Sequence, residues 1–262
     1  MITLGATSTS VVCICGFMGS MVISVTFVVL VKLFIEKVRL CAYNYTIMIS
    51  IVVPTMWKFA PFPDFLADVM ESPWVSDVVL INNHMDVTPQ HKIFNHSKLK
   101  VLDYGVNIFV NPAWNVGVMH AKSDLVCLAN DDIIYDSRVF RTVLDSYQMN
   151  HGCYGISSRM SVDGDLELIP ALGQDLFGYG QLMFVHKSKW IDIPPQLNVW
   201  YGDNFIFDLM IKYQYTNYII KNLLFYTPHA QTAQHANPHM IQNEILSYKN
   251  VCEHYGMISL HP

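Results

Sequence analysis

The sequence predicts an α/β domain: a parallel sheet with helices on both faces. Three observations lead there. Short, β-branched apolar runs recur, as in Ile47-Met48-Ile49-Ser50-Ile51-Val52-Val53 and Val78-Val79-Leu80-Ile81. Between them lie segments whose apolar residues repeat at helical spacing. Such alternation is the mark of βα units, whose sheet must be covered on both sides. The runs also end in polar residues, Pro54-Thr55, Asn82-Asn83 and Asn130-Asp131-Asp132. Sheets of this kind bind ligands beyond the carboxyl ends of their strands.

Residues 1–10 read as a short tail. Residues 11–31 carry no charge, and apolar character persists to 35 across Lys32. A stretch of that length can cross a bilayer as a helix. No Lys or Arg precedes it, and it is longer than a secretory signal core, so an uncleaved transmembrane helix over 11–35 is expected. Lys32, Lys37 and Arg39 follow, which by the positive-inside rule places the C-terminal side in the cytosol. A luminal domain stays open. Only then would the acceptor patterns Asn44-Tyr45-Thr46 and Asn95-His96-Ser97 matter.

The remaining span, 45–255, is read as one domain, long enough for a substantial core. Its first strand, over 47–53, is expected to stop at Pro54, and Asp64 to cap a helix carrying Phe65, Leu66, Val69 and Met70. Strands follow over 78–81 and near 100–104, then a helix over 111–121. Leu125-Val126-Cys127-Leu128-Ala129 is a buried strand. Asp136 caps a helix whose Val139, Phe140, Val143, Leu144 and Tyr147 share a face. Later come a strand over 181–186, a break at Pro194-Pro195, a helix over 205–213 and a strand over 218–225. A closing helix is lined by Met240, Ile241, Ile245, Tyr248 and Cys252.

Composition narrows the partners. A formal net charge of −5 without a Lys/Arg stripe argues against nucleic acid. Six scattered cysteines show neither zinc-ligand spacing nor a disulfide framework. The acidic pair after 125–129 is the chemical signal. Carboxylates ending a buried strand need partners. Either they close the strand as loop or cap residues, or they face a divalent cation; Mg²⁺ and Mn²⁺ favour such oxygens and share them with substrate phosphates.

Three blocks in this order, Ile51-Val52-Val53-Pro54-Thr55, Asn115-Val116-Gly117 and Leu128-Ala129-Asn130-Asp131-Asp132, resemble the family 2-like glycosyltransferases of the GT-A fold. The stretches Phe177-Gly178-Tyr179-Gly180 and Trp200-Tyr201-Gly202-Asp203-Asn204-Phe205 look like the short versions found in phages and large DNA viruses. The resemblance spans roughly residues 47 to 250, by block order and spacing. It implies a nucleotide-sugar donor, Mn²⁺ or Mg²⁺, and transfer of a sugar to an acceptor hydroxyl; with the 11–35 span, the expected acceptor is a glycan, lipid-linked or protein acceptor near a membrane.

Residue by residue, the resemblance makes Asp132 the metal ligand, matching the last acid of the family's Asp-x-Asp motif. Asn130 stands where the first acid usually is; Asp131, the middle residue, falls within the donor loop but is expected to point away. Pro54 and Thr55 match the nucleoside loop. Asn82 and Asn83 stand where relatives often have an acid near the base; they either read a base edge or form a turn. Asn115 resembles the donor-side Asn-x-Gly element, with an ordinary helix-start amide as the alternative. Inversion needs a base for the acceptor proton. The family's acidic pair reads Asp203-Asn204 here. Either Asp203 serves, or Asp208 substitutes, or configuration is retained; Asp203 as a helix N-cap is the plain alternative. His229 is a candidate second metal ligand or a packed histidine. Tyr179, Trp200 and Tyr201 stack on an acceptor sugar or belong to the core. A membrane-anchored, catalytically weak or inactive sugar-nucleotide-binding protein remains the alternative function. A nucleotidyltransferase is disfavoured because 54–58 is neither Gly-rich nor strongly basic.

Overall fold

The first strand, β1 (Ile49–Thr55), is buried along its whole length, as a strand covered on both faces must be. It runs through Pro54 rather than stopping there. Thr55 O accepts from Asn83 N on the β2 (Val75–Asn82) side. By strand alternation Pro54 then turns its missing N–H toward β4 (Leu125–Ala129), whose pairing with β1 ends at Val52. No ladder bond is lost, which is the condition for proline in a strand.

The structure is a computed structural model that describes residues 47–84, 91–158, 164–171, 177–227 and 238–258. The described residues from 47 on belong to one compact unit. The expected 1–10 tail and 11–35 helix lie outside the described residues, as does Asn44; among the described residues no helix is long and apolar enough to cross a membrane. In chain order the elements are β1, α1 (Phe62–Glu71), β2, β3 (Leu99–Asp103), α2 (Val110–His120), β4, β5 (Ile134–Tyr135), α3 (Arg138–Ser146), β6 (His151–Ile156), β7 (Glu167–Pro170), β8 (Leu182–His186), α4 (Gly202–Lys212), β9 (Thr216–Lys221), β10 (Phe225–Tyr226) and α5 (Pro238–Tyr255).

Among the described residues the main sheet has eight strands, in the order β3-β2-β1-β4-β8-β6-β9-β7. Strands β1 to β4 pair in parallel, as expected. The sheet as a whole is mixed, which corrects the all-parallel expectation: β8 is antiparallel to both β4 and β6, and β7 to β9. The reason is local. A 3₁₀ turn at Tyr179–Gln181 starts β8 beside the end of β4, so β8 runs back along its neighbour and needs no crossover helix.

Strands β6 and β7 escape sequence patterning. In β6, Gly152 and Gly155 interrupt the apolar run, yet both are required. A Cβ at Gly152 would lie 2.2 Å from Asn217 Oδ1, and one at Gly155 2.6 Å from the Tyr179 ring. Helices α1 and α3 pack on one face with Ile49, Ile51 and Val53. Helices α2, α4 and α5 pack on the other with Val52. In α1, Asp64 lies in the first turn without capping the helix, which starts earlier behind Pro61. Ser137, not Asp136, is the N-cap of α3; Asp136 lies one residue earlier, where its Oδ1 accepts Arg138 N at 2.8 Å. On α5 the buried line is Glu244, Tyr248, Val251 and Cys252.

Candidate functional site

The carboxyl ends of β1, β2, β3 and β4 meet along one edge of the sheet, and short polar side chains tie them together. Thr55, 1% exposed, donates its hydroxyl to Asp131 Oδ2 at 2.7 Å and accepts Trp57 N at 2.9 Å. Asp131 Oδ2 also accepts Met56 N at 3.1 Å. Burial pushes the Asp131 carboxyl above its ordinary pKa, opposed by the Thr55 and Met56 hydrogen bonds and the nearby Lys58 charge. Asp131 Oδ2 is thus held by the β1 loop. Thr55 and Asp131 therefore latch β1 to β4 and hold the loop in shape.

Asn82 has the same kind of task. Its Oδ1 accepts Trp57 Nε1 at 2.9 Å and His84 N at 3.1 Å, while Nδ2 donates to Asp103 Oδ2 at 3.0 Å. These bonds occupy the amide and aim two other groups. The Trp57 indole is set against Phe62 and Phe94. The exposed Asp103 is fixed at the end of β3, with Oδ1 accepting Gly105 N at 2.9 Å. Those backbone and Asn82 donors hold its pKa below the usual carboxylate value. Asn83 clamps the next loop, donating to Phe109 O and accepting Ile108 N. Thus Asn82 and Asn83 shape the edge, and Asn82 fixes an exposed carboxylate, Asp103, that the sequence reading missed. Its one signal was its place at a strand end.

The acidic tripeptide sits in the turn from β4 to β5. Asn130 and Asp132 are half-buried, and Asn130 N donates to Gln181 O at 3.0 Å. Strand β10 pairs with β5, so the described chain reaches Thr227 beside this turn. His229 lies outside the described residues. Among the described residues no three His, Cys, Asp or Glu side chains form a cluster able to hold a metal. The turn offers one carboxylate, Asp132, and one amide, Asn130, a donor set that could hold an ion only if substrate phosphates completed it, as they usually do for Mg²⁺.

The same edge continues through the 3₁₀ turn before β8. Gly180 N donates to Asp203 Oδ2 at 3.0 Å, and Gln181 O holds Asn130. Two backbone links thus join the acidic turn to Asp203. The glycine is required, since a Cβ there would lie 2.7 Å from Asp203 Cβ. Asp203 is not the N-cap of α4; Tyr201 takes that position with φ +63°. Asp208, 3% exposed, accepts the Tyr248 hydroxyl at 2.5 Å, and burial with the Asp208 charge raises the Tyr248 pKa. That places Asp208 inside the packing of α4 on α5.

Three further expectations are redirected. Tyr179 is 1% exposed, donates to Cys153 O and Tyr218 O at 3.0 and 2.9 Å, and meets Phe207 edge-on; it is core, with no acceptor-facing surface. Asn115 spends both amide atoms on Ile193, at 2.9 and 2.8 Å, so it staples α2 to the segment before Pro194. Trp200 and Tyr201 are half-buried at the start of α4, with Tyr201 stacked on Tyr248 at 4.9 Å. Burial and the Asp203 and Glu244 charges raise the Tyr201 pKa. Asn111 and Glu244, unremarked in the sequence, hold this loop from beneath.

No protein-family model matches the chain, and neither does any curated protein. Solved structures do match in shape. One is TarS 1–349 from S. aureus in complex with UDP, at 15% identity and TM-score 0.53, covering 68% of this chain and 59% of that one. Another is a mannosyltransferase from Pyrobaculum calidifontis in complex with GDP-Man and Mn²⁺, at 15% identity and TM-score 0.52, covering 64% and 53%. A third is GalNAc-T7 with UDP, GalNAc and Mn²⁺, at 12% identity and TM-score 0.51, covering 69% and 44%. The chain spans less than two thirds of each neighbour's length. At such identities the likeness is one of architecture: this mixed α/β domain has the GT-A fold.

Proposed function

We propose that the chain is a metal-dependent glycosyltransferase that moves a sugar from a nucleotide-sugar donor to a hydroxyl of a glycan, lipid-linked or protein acceptor. It is of the short type seen in phages and large DNA viruses, anchored by 11–35 with its domain on the cytosolic side. One observation carries the reading: two backbone links, Asn130 to Gln181 and Gly180 to Asp203, join the acidic turn and a second carboxylate on the ligand-binding edge. Neighbours of the same fold hold UDP or GDP-Man, and two hold Mn²⁺.

Asp132 is the residue that would hold the cation, with Asn130 and His229 as the other candidates. When bound, such an ion neutralises the charge developing on a diphosphate leaving group. The protein supplies the rest. Trp57, Asp103 and the loop latched by Thr55 and Asp131 receive the nucleoside. Asp203 takes the acceptor hydroxyl proton as that oxygen bonds to the anomeric carbon and the bond to the diphosphate breaks, the inverting course. Asn204, an amide where relatives carry an acid, keeps a second reading in view: donor binding without transfer.

The test uses the full chain in detergent with UDP-, GDP- and dTDP-sugars and Mn²⁺, following nucleotide release. Chelator and Asp132→Ala are expected to lower release by about 100-fold or more, as loss of a group stabilising developing charge does. Release indifferent to both overturns the metal assignment. Donor binding with no release from any sugar favours the second reading.

A further inference from the structure

We infer that Glu244 is a positioning residue for the acceptor side of the site. The inference rests on the glycosyltransferase reading above and names how its second carboxylate is held. Glu244 lies on α5, far in sequence from the acidic turn and the Asp203 helix, and is 4% exposed. A carboxylate so buried must be compensated. Among the described residues its partners are three successive backbone N–H groups. Oε1 accepts from Asn198 at 3.2 Å and Val199 at 3.1 Å; Oε2 accepts from Val199 at 3.3 Å and Trp200 at 2.7 Å. Successive N–H groups turned to one point form the concavity that elsewhere captures phosphate. Here the chain supplies its own anion.

What this fixes is the run into α4. Asn111, fully buried, donates Nδ2 to Leu197 O and Trp200 O, each at 3.2 Å. Tyr201 is left-handed at φ +63°, a conformation that persists only where its surroundings over-determine it. Part of that constraint is the stack on Tyr248, four residues after Glu244 and so on the same helix face. Gly202 follows, where a Cβ would lie 2.1 Å from Asn111 Oδ1. Asp203 comes next. Trp200, Tyr201 and Asp203 are thus set from behind by one face of α5, with Glu244 as the only charged group on its buried line. The hold of Glu244 on three successive amides therefore ends at Trp200, directly before Tyr201 turns the chain into the helix that carries Asp203.

Glu244→Gln tests this, because it keeps the shape but turns an NH₂ toward backbone donors. In the full chain, donor KM and acceptor-free nucleotide release are expected to stay within about twofold of wild type. The acceptor KM should rise, and transfer should fall on the order of tenfold, as misplacement of an oriented group does. Unchanged transfer overturns the proposal, and so does an equal loss of donor-only release. Should Glu244→Gln not fold, hydrogen exchange on the wild-type chain decides: slow exchange of the Asn198, Val199 and Trp200 amides supports it, and exchange at the rate of exposed loop amides overturns it. A wild-type chain that releases no nucleotide from any donor sinks the enzymatic reading instead, and the exchange result still reports on the Glu244 contact.

Discussion

Asp203 and Asp208 lie on one helix, five residues apart, and point to different sides of it. Asp203 reaches the sheet edge and takes a backbone N–H from the turn before β8. Asp208 faces α5 and holds a tyrosine hydroxyl. The two asparagine variants should therefore separate. Asp203→Asn is expected to lower transfer by about 10²- to 10⁴-fold, the usual worth of a general base, and to flatten the acid limb of the kcat/KM profile. Asp208→Asn should leave that profile in place and lower thermal stability, since it weakens a hydrogen bond to a charged acceptor by about 1–3 kcal/mol. Kinetics against pH and a melting curve for each variant check both. A profile that moves with Asp208→Asn and not with Asp203→Asn would reverse the assignment.

At the level of elements, the site edge is made by close approaches rather than by long loops. Helix α2 lies against β1 because Gly117 lets it: a Cβ there would stand 2.1 Å from Val52 Cγ1. Gly117→Ala is expected to destabilise by about 1–3 kcal/mol through overpacking, read as a lowered denaturant midpoint. The Tyr179 ring fills the space that Gly155 leaves in β6 and hydrogen-bonds across two strands. Tyr179→Phe should cost about 1–3 kcal/mol in stability, because buried carbonyls lose their donor, with acceptor KM unchanged. A raised acceptor KM at full stability would return Tyr179 to the acceptor site.

The whole molecule carries a second titratable cluster at the opposite edge of the sheet. His151, 7% exposed, meets the Tyr154 hydroxyl at 2.7 Å and the Tyr218 hydroxyl at 3.1 Å, and Lys189 Nζ donates to His151 O. Burial, then the Lys189 charge, pushes the His151 pKa below 6.5. Burial also lowers that of His186. The sign follows from linkage: the unfolded chain binds more protons once pH falls below about 6.5, so stability is full above that value and declines as pH drops through the depressed native values. Urea midpoints between pH 8 and 5 should fall in that window, and His151→Gln should shrink the decline. A midpoint flat across the window contradicts the cluster's role.

Legible in the sequence alone were the parallel half of the sheet and the strand ends that gather polar groups. Those features depend on neighbours in the chain: apolar runs, helical spacing, and charges that a buried strand cannot keep without partners. What each polar side chain does there depends on long-range contacts. Asn82, Asn83 and Asn115 look like ligand-reading amides in one dimension, and each also holds a segment 21 to 78 residues away. The direction of β8, the glycines of β6, and the hold of Glu244 on the loop before Asp203 are likewise long-range. A local pattern records burial and period. It does not record which distant backbone group will arrive to take a hydrogen bond.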